Sequence, residues 1–156
     1  MANIKRGRTG GGNYFPRKDK DLNAYAIYIE VRRDAPDDPG GFGGAKTDAF
    51  YADYAIFHTE EDLNNGTPEI LTNARCDKSL LRRDAIGEEI GVGNAAVKRL
   101  GTWKGDRNPR PSFVWRWVED EVFDKVTDWV YKRDAEVKAL TEGDGEGGDD
   151  IPEFLK

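Results

Sequence analysis

The sequence predicts a mainly β domain: a five-stranded barrel, a short helix between the third and fourth strands, a C-terminal helix, and disordered tails. Three observations lead there. Aromatic and β-branched residues alternate with small or polar ones in segments such as 24–33 and 112–117, the period of a half-buried strand. Stretches rich in Gly, Pro, Asn and Asp separate the segments. After Trp117 the apolar spacing changes to three and four residues, the period of a helix.

The elements follow in order. Residues 1–22 form a Gly-rich arm whose glycines deny it a packed structure and whose cations suit phosphate. Residues 24–33 are the first strand, with Tyr25, Ile27, Ile29 and Val31 facing the core and Tyr28, Glu30 and Arg32 on the other face. Residues 34–46, with two prolines and four glycines, are a long loop of the kind that carries function; Phe42 there is either a stacking residue or an anchor. The second strand spans 47–58. Phe50, Ala52, Tyr54 and Ile56 share one face, Tyr51, Asp53 and Phe57 the other, so a bulge or two-sided burial is expected. A turn over 59–68 leads to a short third strand at 69–75.

Asp77 is placed to cap a helix ending at Gly87, with Leu80, Leu81, Ala85 and Ile86 as its apolar stripe. The segment Ala95–Trp117 then reads as two strands joined by a basic loop. That loop, residues 104–111, holds Lys104, Arg107 and Arg110 and no apolar side chain. On the last strand one face must be core, so Trp115 or Trp117 can be internal. Residues 119–140 form the longest helix, acidic in its first turn, in which Val122, Phe123, Val126, Trp129, Val130, Val137 and Leu140 recur at three- and four-residue steps and Trp129 packs on the barrel. Residues 141–156 are a disordered acidic tail. The domain is therefore expected over 23–140.

A chain of 156 residues with 35% charged side chains has room for one modest core. The net charge of -6 is unevenly spread: residues 1–20 carry roughly +5 and residues 119–156 roughly -8. A separated acidic end does not forbid a basic groove, because screening limits exposed charges to about 8–10 Å. The lone Cys76 cannot make an internal disulfide, and no apolar signal-peptide core opens the chain; both fit a cytoplasmic protein. His58 has no partner at metal-ligand spacing, and no catalytic motif is present, so no metal, cofactor or enzymatic activity is expected.

Three strands, a helix, two strands and a terminal helix is the order of the oligonucleotide/oligosaccharide-binding (OB) fold. Its ligand lies on the face of strands two and three, between the loops here at 34–46 and 104–111. The run Leu80-Leu81, Val97, Leu100-Gly101, Lys104-Gly105, Pro109, Pro111, Trp115 and a following helix resembles single-stranded DNA-binding proteins of bacteriophages, especially those infecting actinobacteria. The resemblance covers roughly residues 10–135. It implies a role in DNA replication or recombination and a location in the cytoplasm of an infected bacterial host. The end, Gly147-Gly148-Asp149-Asp150-Ile151-Pro152, is similar to the acidic tip of bacterial single-stranded DNA-binding proteins, which recruits partner proteins. Asp149, Asp150, Ile151, Pro152 and Phe154 would be the recruiting residues. Here Glu153 follows Pro152 and the chain runs on to Lys156, whereas the bacterial tip closes on an aromatic.

The reading is sequence-tolerant binding of single-stranded DNA. Arg32, Lys98, Arg99, Lys104, Arg107, Arg110 and Arg116 would meet phosphates, while Tyr28, Tyr51, Trp103 and Trp115 would offer rings to bases. Trp103 should contribute most, since it adjoins the basic loop and has polar neighbours. The alternative is an OB-fold protein-interaction module that binds no nucleic acid, which the negative net charge favours.

Overall fold

The computed structural model describes residues 13–39, 46–106 and 110–144, with side chains as far as 139. Among the described residues the fold is mainly β, a curled half-barrel sheet of six strands with four helices. In chain order the elements are β1 (Asn13–Tyr14), α1 (Asp19–Leu22), β2 (Ala26–Asp38), β3 (Thr47–Phe57), α2 (Glu60–Asn65), β4 (Glu69–Cys76), α3 (Ser79–Ile86), β5 (Ala95–Trp103), β6 (Ser112–Arg116) and α4 (Asp120–Asp144). The sheet order is β1-β4-β3-β2-β5-β6, six strands against the five expected. All pairs are antiparallel except β1 with β4.

The extra strand corrects the boundary of the N-terminal arm. From Asn13 onward the arm is part of the domain, because Phe15 fills the core. Its ring, only 2% exposed, lies 4.1 Å from that of Tyr54 and 5.6 Å from that of Trp115. Arg17 fixes the next turn. It grips the fully buried Asp21 through two side-chain hydrogen bonds and reaches Glu69 on β4 at 2.7 Å. These ion pairs satisfy a charge that burial would otherwise penalise heavily.

Two cores lie on opposite faces of the sheet. Inside the curl, Ile27, Ile29, Val31, Phe50, Tyr54, Ile56, Leu81, Ala85 and Leu100 pack together. On the outer face Ala26, Ala55 and Phe57 pack under Val122, Val126 and Val130 of α4. Tyr25 belongs to this outer cluster, not to the inner core assigned by its position in the strand. Both devices anticipated for the second strand occur, since Phe57 is buried on the outside and the register with β4 slips between Ala52 and Tyr54.

Local chemistry accounts for the remaining differences. Thr59 and Asp62 form a reciprocal capping box, which makes a helix (α2) of the expected turn. Asp77 does not cap α3; its carboxylate instead takes a hydrogen bond from Arg75 at 3.1 Å, and Lys78 stands at the cap without a side-chain bond. Among the described residues no helix is long and apolar enough to cross a membrane.

Candidate nucleic-acid interface

The hairpin of β5 and β6 keeps strict register: Arg99 faces Arg116, Gly101 faces Val114, and Trp103 faces Ser112. Alternation puts Arg99, Gly101, Trp103 and Arg116 on the outer face together. Trp103 is 54% exposed. Its ring folds over Gly105, where a Cβ would come within 2.9 Å of the indole Cη2. The Arg116 side chain lies across Gly101, where a Cβ would meet its Cγ at 2.7 Å, and its guanidinium donates to the Thr102 carbonyl at 2.7 Å. The absence of a Cβ at these two positions lets an indole and a guanidinium lie flat on the strand surface. Lys104 and Arg110 are exposed beside them.

Arg99 is less free. It donates to the Tyr25 carbonyl at 2.7 Å, lies over the Tyr25 ring at 5.3 Å, and pairs with Glu119 at 3.2 Å. The hydrogen bond from Arg99 is the main reason the Glu119 carboxyl is held below its ordinary range.

Two residues expected at this surface lie elsewhere. Lys98 points to the inner face and is buried, with its ammonium 2.5 Å from Glu89 and 4.8 Å from the centre of the Trp117 ring. Trp115 is 8% exposed and its indole N–H donates to the Leu81 carbonyl at 3.2 Å. The same alternation that exposes Trp103 and Arg116 turns Lys98 and Trp115 inward, so neither is open to a phosphate or a base. Trp117, just past β6, is 81% exposed.

A second patch lies on the outer face of β2 and β3. Tyr28, half-buried, sits at the margin of the α4 cluster, with the Arg133 guanidinium 5.9 Å from its ring centre. Arg32 pairs with Asp53 at 2.9 Å. The Tyr51 hydroxyl donates to Asp38 at 2.9 Å; burial, and then that bond, raise its phenol above the ordinary value. The closest ring–cation contact here involves a residue that alternation assigns to the opposite face. Arg33 lies 4.0 Å over the Tyr51 ring. A register slip between Val31 and Arg33 brings Arg33 opposite Tyr51, so two consecutive arginines serve one face. Strand period alone cannot show such a slip, and nothing in the sequence marks it.

No protein-family model, curated protein or solved structure matches this chain. Helix α4 occupies the outer face between the two patches: Glu119, just before it, meets Arg99 and Arg133 meets Tyr28. The expected site is thus split. Trp103, Lys104, Arg110, Arg116 and Arg99 gather on the hairpin, while Tyr28, Arg32 and Tyr51 gather on β2 and β3 with Arg33 and Arg133. Arg107 and the tail residues Asp149, Asp150, Ile151, Pro152 and Phe154 lie outside the described residues. Among the described residues no group of acidic, His and Cys side chains is arranged to hold a metal. Burial pushes the Cys76 thiol up to about 12, so at neutral pH it is not a nucleophile.

Proposed function

We propose that this protein binds single-stranded DNA with little sequence preference, through a barrel of the OB type. Leaving out the two-residue β1, the sheet reads third, second, first, fourth, fifth in strand order, with α3 between the third and fourth strands. That arrangement supports the OB assignment. The observation that carries the functional reading is the half-exposed Trp103 on one face with Arg116, beside Lys104. An open ring for a base and cations for the flanking phosphates are the two requirements of a sequence-tolerant site. A phage replication or recombination setting, with residues 149–154 recruiting partner proteins, is the extension of this reading that the sequence resemblance suggests.

A titration of labelled oligo-dT by fluorescence anisotropy tests it. Binding is expected at micromolar protein or below in low salt, weakening steeply as salt rises, with duplex DNA a poorer ligand. No binding to oligo-dT at micromolar protein in low salt would end the proposal.

A second reading, a protein-interaction module of the same fold, is favoured by a specific observation. Arg32, Arg75, Arg82, Lys98 and Arg99 are all paired with carboxylates, and α4 leaves Phe123 and Tyr131 exposed. The same titration separates the two.

A further inference from the structure

At the β3–β4 side of α4 the outer face sinks into a cavity of about 240 Å³. Tyr28, Arg133, Ile70 and Thr72 are among its walls, and Glu30 and Asp53 also line it. Glu30 and Asp53 stand directly opposite each other in the β2–β3 register. Opposed like charges cost stability, so the fold itself gains nothing from the pair. Asp53 is already engaged: one carboxylate oxygen accepts from the Asn73 amide at 2.7 Å and the other faces Arg32 at 2.9 Å. Glu30 is half-buried and makes no hydrogen bond or ion pair among the described residues. The cavity thus presents an unused carboxylate between flat side chains.

Resting on the DNA-binding reading above, we propose that this recess is a base subsite that selects guanine over thymine. The two carboxylates repel phosphate and carbonyl oxygens, so what enters must offer N–H groups. Guanine presents adjacent N1–H and N2–H donors, which match the two oxygens of Glu30. Thymine presents one N–H between two carbonyl oxygens, and both oxygens would face negative charge. Tyr28 and the guanidinium plane of Arg133 supply surfaces on which a base can stack. The subsite adds a modest preference to a surface otherwise indifferent to sequence.

The test compares oligo-dT with the same oligomer carrying one central deoxyguanosine, by anisotropy at low salt. The guanosine oligomer should bind about tenfold more tightly, the scale of one good bidentate base contact. In Glu30→Gln the gap should close, because the amide offers a donor to thymine as readily as an acceptor to guanine. Glu30 has no partner to lose and its neutralisation removes the like-charge opposition, so this variant should melt no lower than the parent. Equal affinity for the two oligomers in the parent, or a gap that persists in Glu30→Gln, overturns the subsite and leaves the general DNA-binding reading standing. Absence of binding to both oligomers overturns the reading and the subsite with it.

Discussion

Replacing Trp103 with alanine separates a ring held for a ligand from a ring held for the fold. The side chain is 54% exposed, faces the small Ser112 across the ladder, and lies over Gly105 just past the end of β5. Truncation leaves no internal cavity, so stability should change by about 0.5 kcal/mol or less. Loss of one base stack costs about 1–3 kcal/mol, which raises the Kd for oligo-dT roughly 5- to 150-fold. The salt dependence should not change, because no cation is removed. Anisotropy titrations at two salt concentrations and a melting curve measure all three quantities. Trp117→Ala is the informative control. Trp117 is more exposed, at 81%, yet its ring neighbour is the inward-facing Lys98, itself paired with Glu89. If exposure alone governed binding, Trp117→Ala would cost more than Trp103→Ala. If the shared face with Arg99 and Arg116 governs it, the order reverses. An unchanged Kd in Trp103→Ala, or a larger loss in Trp117→Ala, refutes the assignment of the hairpin surface.

The remaining predictions test the surrounding structure. Trp115→Ala and Phe15→Ala each remove a buried ring from one stack, at about 3–5 kcal/mol, and should lower Tm by roughly 6–20 °C in calorimetry; an unchanged Tm in Phe15→Ala would show that the segment from Asn13 is not integral to the core. Arg116→Gln should weaken oligo-dT binding and reduce the salt slope by about 0.7, so an unaltered slope would mean that Arg116 meets no phosphate. The Glu69 carboxyl is lowered to about 2, chiefly by the hydrogen bond from Arg17. A folded value below the unfolded one, about 4.3 for Glu, gives stability that is present above that pH and lost as pH falls toward 2. Tm between pH 6 and 2 should therefore fall more steeply in the parent than in Glu69→Gln, and parallel curves would deny that pair a role.

The strand alternation and the change to helical period after Trp117 are legible because each of β2 to β6 buries residues on at least one face, and burial imposes period two. The same rule gave the face of Trp103 and Arg116 once register was known. It could not say which face was which. Lys98 and Trp115 look as suited to DNA in sequence as Arg99 and Trp103; the pairing of Arg99 with Arg116 sets which residues share a face, and the burial of Lys98, Leu100 and Trp115 decides that the odd-numbered residues of β5 and the even-numbered residues of β6 point outward. Two further features were hidden for different reasons. Phe15 sits in an arm whose composition argues against packing, and its burial comes from distant partners, Tyr54 and Trp115. Arg33 reaches Tyr51 only through the register slip in β2.

The ion pairs explain why net charge is a poor guide to this surface. Arg32, Arg75, Arg82 and Arg99 count as cations in the sequence, yet each faces a carboxylate 2.6–3.2 Å away and offers little field to a phosphate. Arg33, Lys104 and Arg116 make no ion pair among the described residues. A binding surface here depends on these few unpaired charges beside open rings. Single substitutions at Trp103 or Arg116 should therefore have large effects, whereas substitutions at the paired arginines should act mainly through the fold.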